Sequence, residues 1–303
     1  MTVTHERLPL RRTRHGGTSR ASRAEKAAWT RPVAPYGERM RTRWNLVLGA
    51  SAAVLVGVVA WVGVTALTGD DRRTRSTVDG ELALTATYRL TADGGLDPAP
   101  DERAQRVWDE FVRVATAEVV RSDITAYGVG DNAESDTLAY VTSDENDETR
   151  WMLAANLAYA DDPELLLSTL VHEYAHLLSL GVNDVDREAS TCDTEWGGAG
   201  CLRADADLQV FAERFWSRYA DAPARDNVDA EVAATFSAAH EGDFVSEYAA
   251  TNVSEDFAET FATYVLEADT AGDTAIAEKF AFFADLPEYS SARERIRAEF
   301  GRD

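Results

Sequence analysis

The sequence predicts an α+β domain, mostly helical with a small sheet, preceded by one transmembrane helix. Three observations carry this. An uncharged run of about 25 residues, 44–68, is long enough to cross a bilayer and has no counterpart elsewhere in the chain. Short alternating segments cluster between residues 81 and 159. From residue 163 onward, apolar residues recur at helical spacing in one segment after another.

The first 43 residues hold eleven Arg or Lys against three acids, a net of +8, and read as a basic disordered tail. The positive-inside rule keeps such a tail cytoplasmic and puts everything beyond residue 68 on the other side of the membrane. A cleaved signal peptide competes with this reading, because Val64-Thr65-Ala66 offers small residues for cleavage. A lead of 43 residues is far too long for an ordinary n-region, which favours an uncleaved anchor. Residues 69–79 follow as a charged stalk, and residues 80–303 as an extracytoplasmic domain.

Within that domain Glu81–Leu90 alternates like a half-buried strand, and Pro98–Val120 reads as a helix with Val107, Phe111, Val114 and Ala115 on one face. Thr137–Thr142 and Trp151–Tyr159 read as strands. Helices are then expected at about 163–180, 205–220, 229–240, 253–268, 273–284 and 289–299. The first has clear ends: Asp162-Pro163-Glu164 supplies an N-cap, a proline at N1 and an early acid, and Gly181 follows the last periodic leucine. Its apolar stripe would be Leu166, Leu167, Leu170, Tyr174, Leu177 and Leu178, with the opposite face at the edge of a cleft.

That helix carries His172, Glu173 and His176, spelling His-Glu-x-x-His. Positions i and i+4 share a helix face, so the two imidazoles can reach one metal ion, and Glu173 projects beside it. In a zinc hydrolase the metal lowers the pKa of its water to about 7 and a neighbouring carboxylate moves the proton to the leaving amine. Two imidazoles need a further ligand. Ser179 and Val182 stand where a metzincin would have its Gly and third His, and His240 reads as a solvated histidine near a helix end. Downstream, Glu255 and Glu259 lie one turn apart on a second helix, with Asn252 and Glu255 as a capping box and Phe257, Phe261 and Val265 as its apolar stripe. Glu255 can complete the site, and Glu259 can accept a hydrogen bond from the far nitrogen of a ligating histidine. The plainer reading of the two acids is a capped helix start favoured by the helix dipole.

With its Glu-x-x-x-Glu helix after the histidine pair, the chain resembles the glutamate-zincins, and its motifs are most similar to those of the anthrax lethal factor catalytic domain. Tyr248, Glu255, Phe257, Ala258 and Glu259 fall in order on that pattern. The resemblance implies a zincin-like fold and a zinc metalloendopeptidase holding one Zn2+ per chain through His172, His176 and Glu255. It further implies Glu173 as general base, Glu259 behind a ligand histidine, and Tyr248 as the phenol that steadies the oxyanion. It covers roughly 50 residues. Seventy-eight residues separate His176 from Glu255, more than the pattern has, so an insertion with both cysteines and further helices is expected between them.

The expected partner is a protein or peptide substrate. Arg150–Tyr159 reads either as the edge strand that aligns an extended peptide or as a buried strand. Cys192 and Cys201 read as a local disulfide closing a glycine-rich loop, with two free thiols as the alternative. From residue 69 onward 50 acids face 19 bases, a net of −31, which argues against nucleic acid as a partner and for a solvated, salt-tolerant surface. A preference for basic peptides is a second reading of that charge. The acidic run Asp144–Glu148 does not match an EF-hand loop. Nothing in the sequence sets an oligomeric state. The competing function is a catalytically inactive zinc-binding cell-envelope interaction domain, which would have no need of Glu173 or Tyr248.

Overall fold

The computed structural model describes residues 82–302, apart from 190, 269–271 and 273. β1 (Ala86–Leu90) and β2 (Leu96–Asp97) pair antiparallel across a turn. α1 (Glu102–Ala115) opens on Asp101, whose carboxylate accepts the Ala104 N–H at 2.9 Å, and buries Val107, Trp108, Phe111 and Val114. The helix expected over 98–120 is broken in two. Thr116 adopts φ 84°, ends α1, and caps α2 (Ala117–Asp123) by accepting the Val119 N–H.

β3 (Ile124–Gly130) has no counterpart in the sequence reading. Its two glycines break the alternation that marks a strand, and they also make room. A Cβ on Gly130 would run into the Leu82 backbone, which crosses the sheet there. β4 (Ala139–Asp144) and β5 (Asp147–Asn156) form an antiparallel hairpin, and β5 runs parallel to β3. The order is β2-β1-β3-β5-β4. β5 is therefore paired on both sides, and of the two readings of 150–159 the buried one holds. Trp151 to Asn156 are buried, and residues 157–159 turn as a 3-10 helix. The edge on this side of the sheet is β4.

The sheet's faces follow the two-residue period. Tyr88, Tyr127, Val129, Val141, Leu153 and Ala155 join the main helical core, whereas Tyr140, Met152 and Ala154 close a small cluster under Leu82 on the other face. α3 (Pro163–Ser179) lies between the sheet and the helical half, packed against α1, β4 and α6 (Val253–Leu266).

The segment between α3 and α6 holds both cysteines and further helices. β6 (Val185–Asp186) and β7 (Cys201–Leu202) form a small antiparallel pair, and the Cys192–Cys201 disulfide ties the loop between them to β7. Gly200 approaches the Asp186 backbone too closely for any Cβ. α4 (Asp207–Phe211) runs on as a π-helical turn, Ala212–Trp216, and α5 (Ala230–Ala239) and a 3-10 turn at Tyr248–Ala250 follow. α7 (Ala275–Asp285) and α8 (Pro287–Glu299) complete the domain. Edge-to-face rings fasten this half together: Phe257 meets Phe211 at 5.2 Å and Phe283 at 4.9 Å, and Phe261 meets Tyr289 at 5.4 Å.

The single-pass membrane placement expected from the sequence is corrected here. No helix among the described residues is long and apolar enough to cross a membrane. The longest, α3, has 17 residues against the roughly 20 a bilayer needs, and it carries Glu164, Glu173 and both histidines. The tail 1–43, the apolar run 44–68 and the stalk 69–79 lie outside the described residues.

Candidate metal centre

α3 starts where its caps predict: Asp162 accepts the Leu165 N–H at 3.2 Å, and Pro163, which has no N–H to satisfy, takes N1. Its burial differs from the amphipathic expectation. From Leu167 to Leu177 every residue is buried, because β4 and α1 cover one side and α6 another. The metal pair is thus not at a cleft edge: His172 is 4 % exposed, Glu173 2 % and His176 1 %. Polar groups buried this deeply need partners, and α6 supplies them.

Asn252 caps α6, accepting the Glu255 N–H at 3.0 Å, which fixes the first turn. The expected stripe of Phe257, Phe261 and Val265 is buried, and Glu255 and Glu259 are buried with it. Glu255 reaches both histidines, with Oε2 3.2 Å from Nε2 of His172 and 3.7 Å from Nε2 of His176. The two Nε2 atoms are themselves 3.1 Å apart. His172, His176 and Glu255 form the group, among the described residues, that could hold a metal ion.

The outer nitrogens are engaged as well. Nδ1 of His172 faces Oε1 of Glu259 at 2.9 Å, and Nδ1 of His176 faces Oγ of Ser254 at 3.3 Å. Nδ1 of His172 is turned to Glu259, and its Nε2 faces the second imidazole and the Glu255 carboxylate inside the cluster. Donors so arranged repel one another unless a positive charge sits among them. Burial would depress the His172 imidazole, but hydrogen bonds to Glu255 and Glu259 and their charges lift it well above its ordinary range. Burial would likewise raise Glu255, but the charge of His176 and the contacts with both imidazoles hold it well below the usual carboxylate range. A metal cation answers the same field, and a donor set of two imidazoles and a carboxylate is one that metals take.

Glu173 follows His172 on α3. Burial pushes its carboxyl up, the two histidines partly offset this, and the Val141 backbone of edge strand β4 hydrogen-bonds to it. Tyr248 lies over the site with its ring centroid 5.9 Å from that of His172. Burial first, then the charge and hydrogen bond of Glu255, hold its phenol well above the ordinary value, so it stays protonated. The fold therefore brings together all six residues expected at the site. Three residues stay apart from it: Cys192 and Cys201 bond in the β6–β7 hairpin, and His240 caps α5 and faces both carboxylate oxygens of Asp221 at 3.1 Å.

Three features escaped the sequence reading. Ser246 donates to Oε2 of Glu259 at 2.7 Å and accepts the Ala249 N–H at 3.0 Å, tying the turn that bears Tyr248 to α6. Ser254 faces His176, and Asp256 is locked in a buried ion pair with Lys279. No pattern marks the serines. Lys279 has a signal in hindsight, a lone lysine on the apolar side of α7 among Phe280, Phe282 and Phe283.

The chain matches no family model, no curated protein and no solved structure. What the site does has to be argued from its own geometry.

Proposed function

We propose that the chain is a zinc-dependent metalloendopeptidase of the glutamate-zincin type, with His172, His176 and Glu255 as ligands. The convergence of those three donors, with Glu173 beside them and Glu259 behind, carries the reading. Ligand atoms about 2.1 Å from a tetrahedral zinc lie about 3.4 Å from one another. The separations here, 3.1, 3.2 and 3.7 Å, bracket that value. The α+β arrangement, with the motif helix beside an antiparallel edge strand, supports a zincin-like fold.

When bound, zinc would supply Lewis-acid polarisation of the scissile carbonyl and lower the pKa of the attacking water. The rest falls to the chain's own groups. Glu173, with its carboxyl raised by burial, is a stronger base than a solvated glutamate and can take a proton and return it to the leaving amine. Tyr248 keeps its proton and can donate to a developing oxyanion. Glu259 and Ser254 hold the imidazoles in register. The Val141 contact with Glu173 puts edge strand β4 beside the base, and an extended peptide added to that edge would run past it, although Ala139 to Val141 are buried in this structure.

One observation favours a second reading, an inactive metal-binding interaction domain: His172, Glu173, His176 and Glu255 are all nearly inaccessible. Zinc stoichiometry and peptidase activity of the full chain separate the two. One zinc per chain, lost in His176→Ala and in Glu255→Ala, with hydrolysis of a mixed peptide library, is the expected result. Stoichiometric zinc without hydrolysis favours the inactive domain, and no zinc overturns both.

A further inference from the structure

We propose that the buried Asp256–Lys279 ion pair positions the metal ligand beside it, fixing the first turn of α6 so that Glu255 meets the two histidines. The inference rests on the metal-site reading above and deepens it.

Asp256 is 0 % and Lys279 1 % exposed. The ammonium lies 2.6 Å from Oδ2 and 2.9 Å from Oδ1 of Asp256 and donates to the Asp243 carbonyl at 2.8 Å. The carboxylate also accepts from Trp216 Nε1 at 2.8 Å and from Thr260 Oγ1 at 3.0 Å. The ring of Phe244 covers the ammonium, its centroid 4.4 Å away. Every bond is directional, and together they join four segments: α6, α7, the π-helical turn, and the stretch from Asp243 to Tyr248.

Stability is a poor reason for such a pair. Removing two charges from water carries a large desolvation penalty, and well-packed apolar residues commonly do as well or better. Packing already links these helices, through Phe211, Phe257, Phe282 and Phe283. Aromatic contacts tolerate small slips along a helix, whereas an ion pair with a fixed set of bonds sets one register. That register matters most one residue earlier, because a metal ligand has to be held to about 0.5 Å. The ammonium's bond to Asp243 also anchors the start of the segment that delivers Ser246 to Glu259 and Tyr248 to the site. Asp256 and Lys279 are thus positioning residues, acting through Glu255.

The test is a double variant, Asp256→Asn with Lys279→Met, which removes both charges, leaves neither bare, and keeps an amide for Trp216 and Thr260. Zinc affinity of the full chain is measured by chelator competition at one pH, in the wild-type background and in Glu255→Gln, alongside the melting temperature. The expected result is a folded protein with zinc bound about ten-fold more weakly, a loss absent when Glu255 is already replaced. Equal loss in both backgrounds, or no loss, overturns the positioning role and leaves the metal site standing. A wild-type chain without zinc overturns both. Should the double variant fail to fold, Trp216→Phe, which deletes one bond to the carboxylate and keeps a ring, takes its place. Weaker zinc binding dependent on Glu255 supports the proposal, and unchanged affinity overturns it.

Discussion

His172 and Glu259 meet across 87 residues of sequence, Nδ1 to Oε1 at 2.9 Å, while the other oxygen of Glu259 accepts from Ser246 at 2.7 Å. The carboxylate is therefore held on both sides and sets which nitrogen of His172 carries the proton. Glu259→Ala frees the imidazole to rotate and removes the charge that raises its basicity. Zinc affinity is expected to fall by about 10- to 100-fold with the three ligands in place, as read by competition against a chelating dye. Affinity equal to wild type would show that the contact does not tune the site.

In the proposed mechanism Glu173 acts on the substrate without belonging to the ligand set. In Glu173→Gln the side chain keeps its volume and can still meet the Val141 backbone, but it cannot take a proton. Zinc content is expected to stay at the wild-type level while kcat drops by about 10²- to 10⁴-fold. Full hydrolysis with zinc bound would remove Glu173 from the mechanism.

The crowding of donors predicts a stability effect. A cation that binds the folded chain and not the unfolded one adds about 4 kcal/mol at a free concentration 1,000-fold above its Kd. Chelation should therefore lower the melting temperature of the wild type. His176→Ala should melt at one temperature with or without chelator, and a variant that still responds would mean that the metal lies elsewhere.

The centre was legible in the sequence because each half of it is local. His172 and His176 lie one turn apart on one capped helix with Glu173 next to the first, and Glu255 and Glu259 lie one turn apart on another, so helix period put each pair on a common face. What joins the halves was not legible. Ser246 to Glu259 and Lys279 to Asp256 are contacts between elements, and a serine or lysine that makes them looks like any other. The strand order was hidden for a similar reason: β3 carries two glycines where its sheet neighbours need space, and without β3 the place of β5 inside the sheet could not be seen. The leucine stripe of α3 implies a half-solvated helix, whereas Ser168, Thr169 and Ser179 on its other faces are buried too, because small polar side chains fit under neighbouring elements as readily as apolar ones.

The acidic surface leaves one pH signature away from the metal. Half-buried Asp184, beside Asp207, Glu288 and Asp205, has its carboxyl pushed from 3.8 up to about 6, by burial first and then by those charges. Between those values the folded chain keeps a proton that the unfolded chain has released. Stability therefore falls as pH rises through that window, and stays at the lower level above it. Asp184→Asn carries no charge to lose and can still accept the Gly181 N–H. Its melting temperature should exceed that of the wild type above about pH 6, with the difference vanishing as pH falls towards about 4. Groups that do not interact with Asp184 contribute equally to both proteins and cancel, whereas Asp207, Glu288 and Asp205 lose a repelling neighbour in the variant and widen the gap in the same direction. A gap that is constant with pH would assign the effect to packing and not to the Asp184 charge.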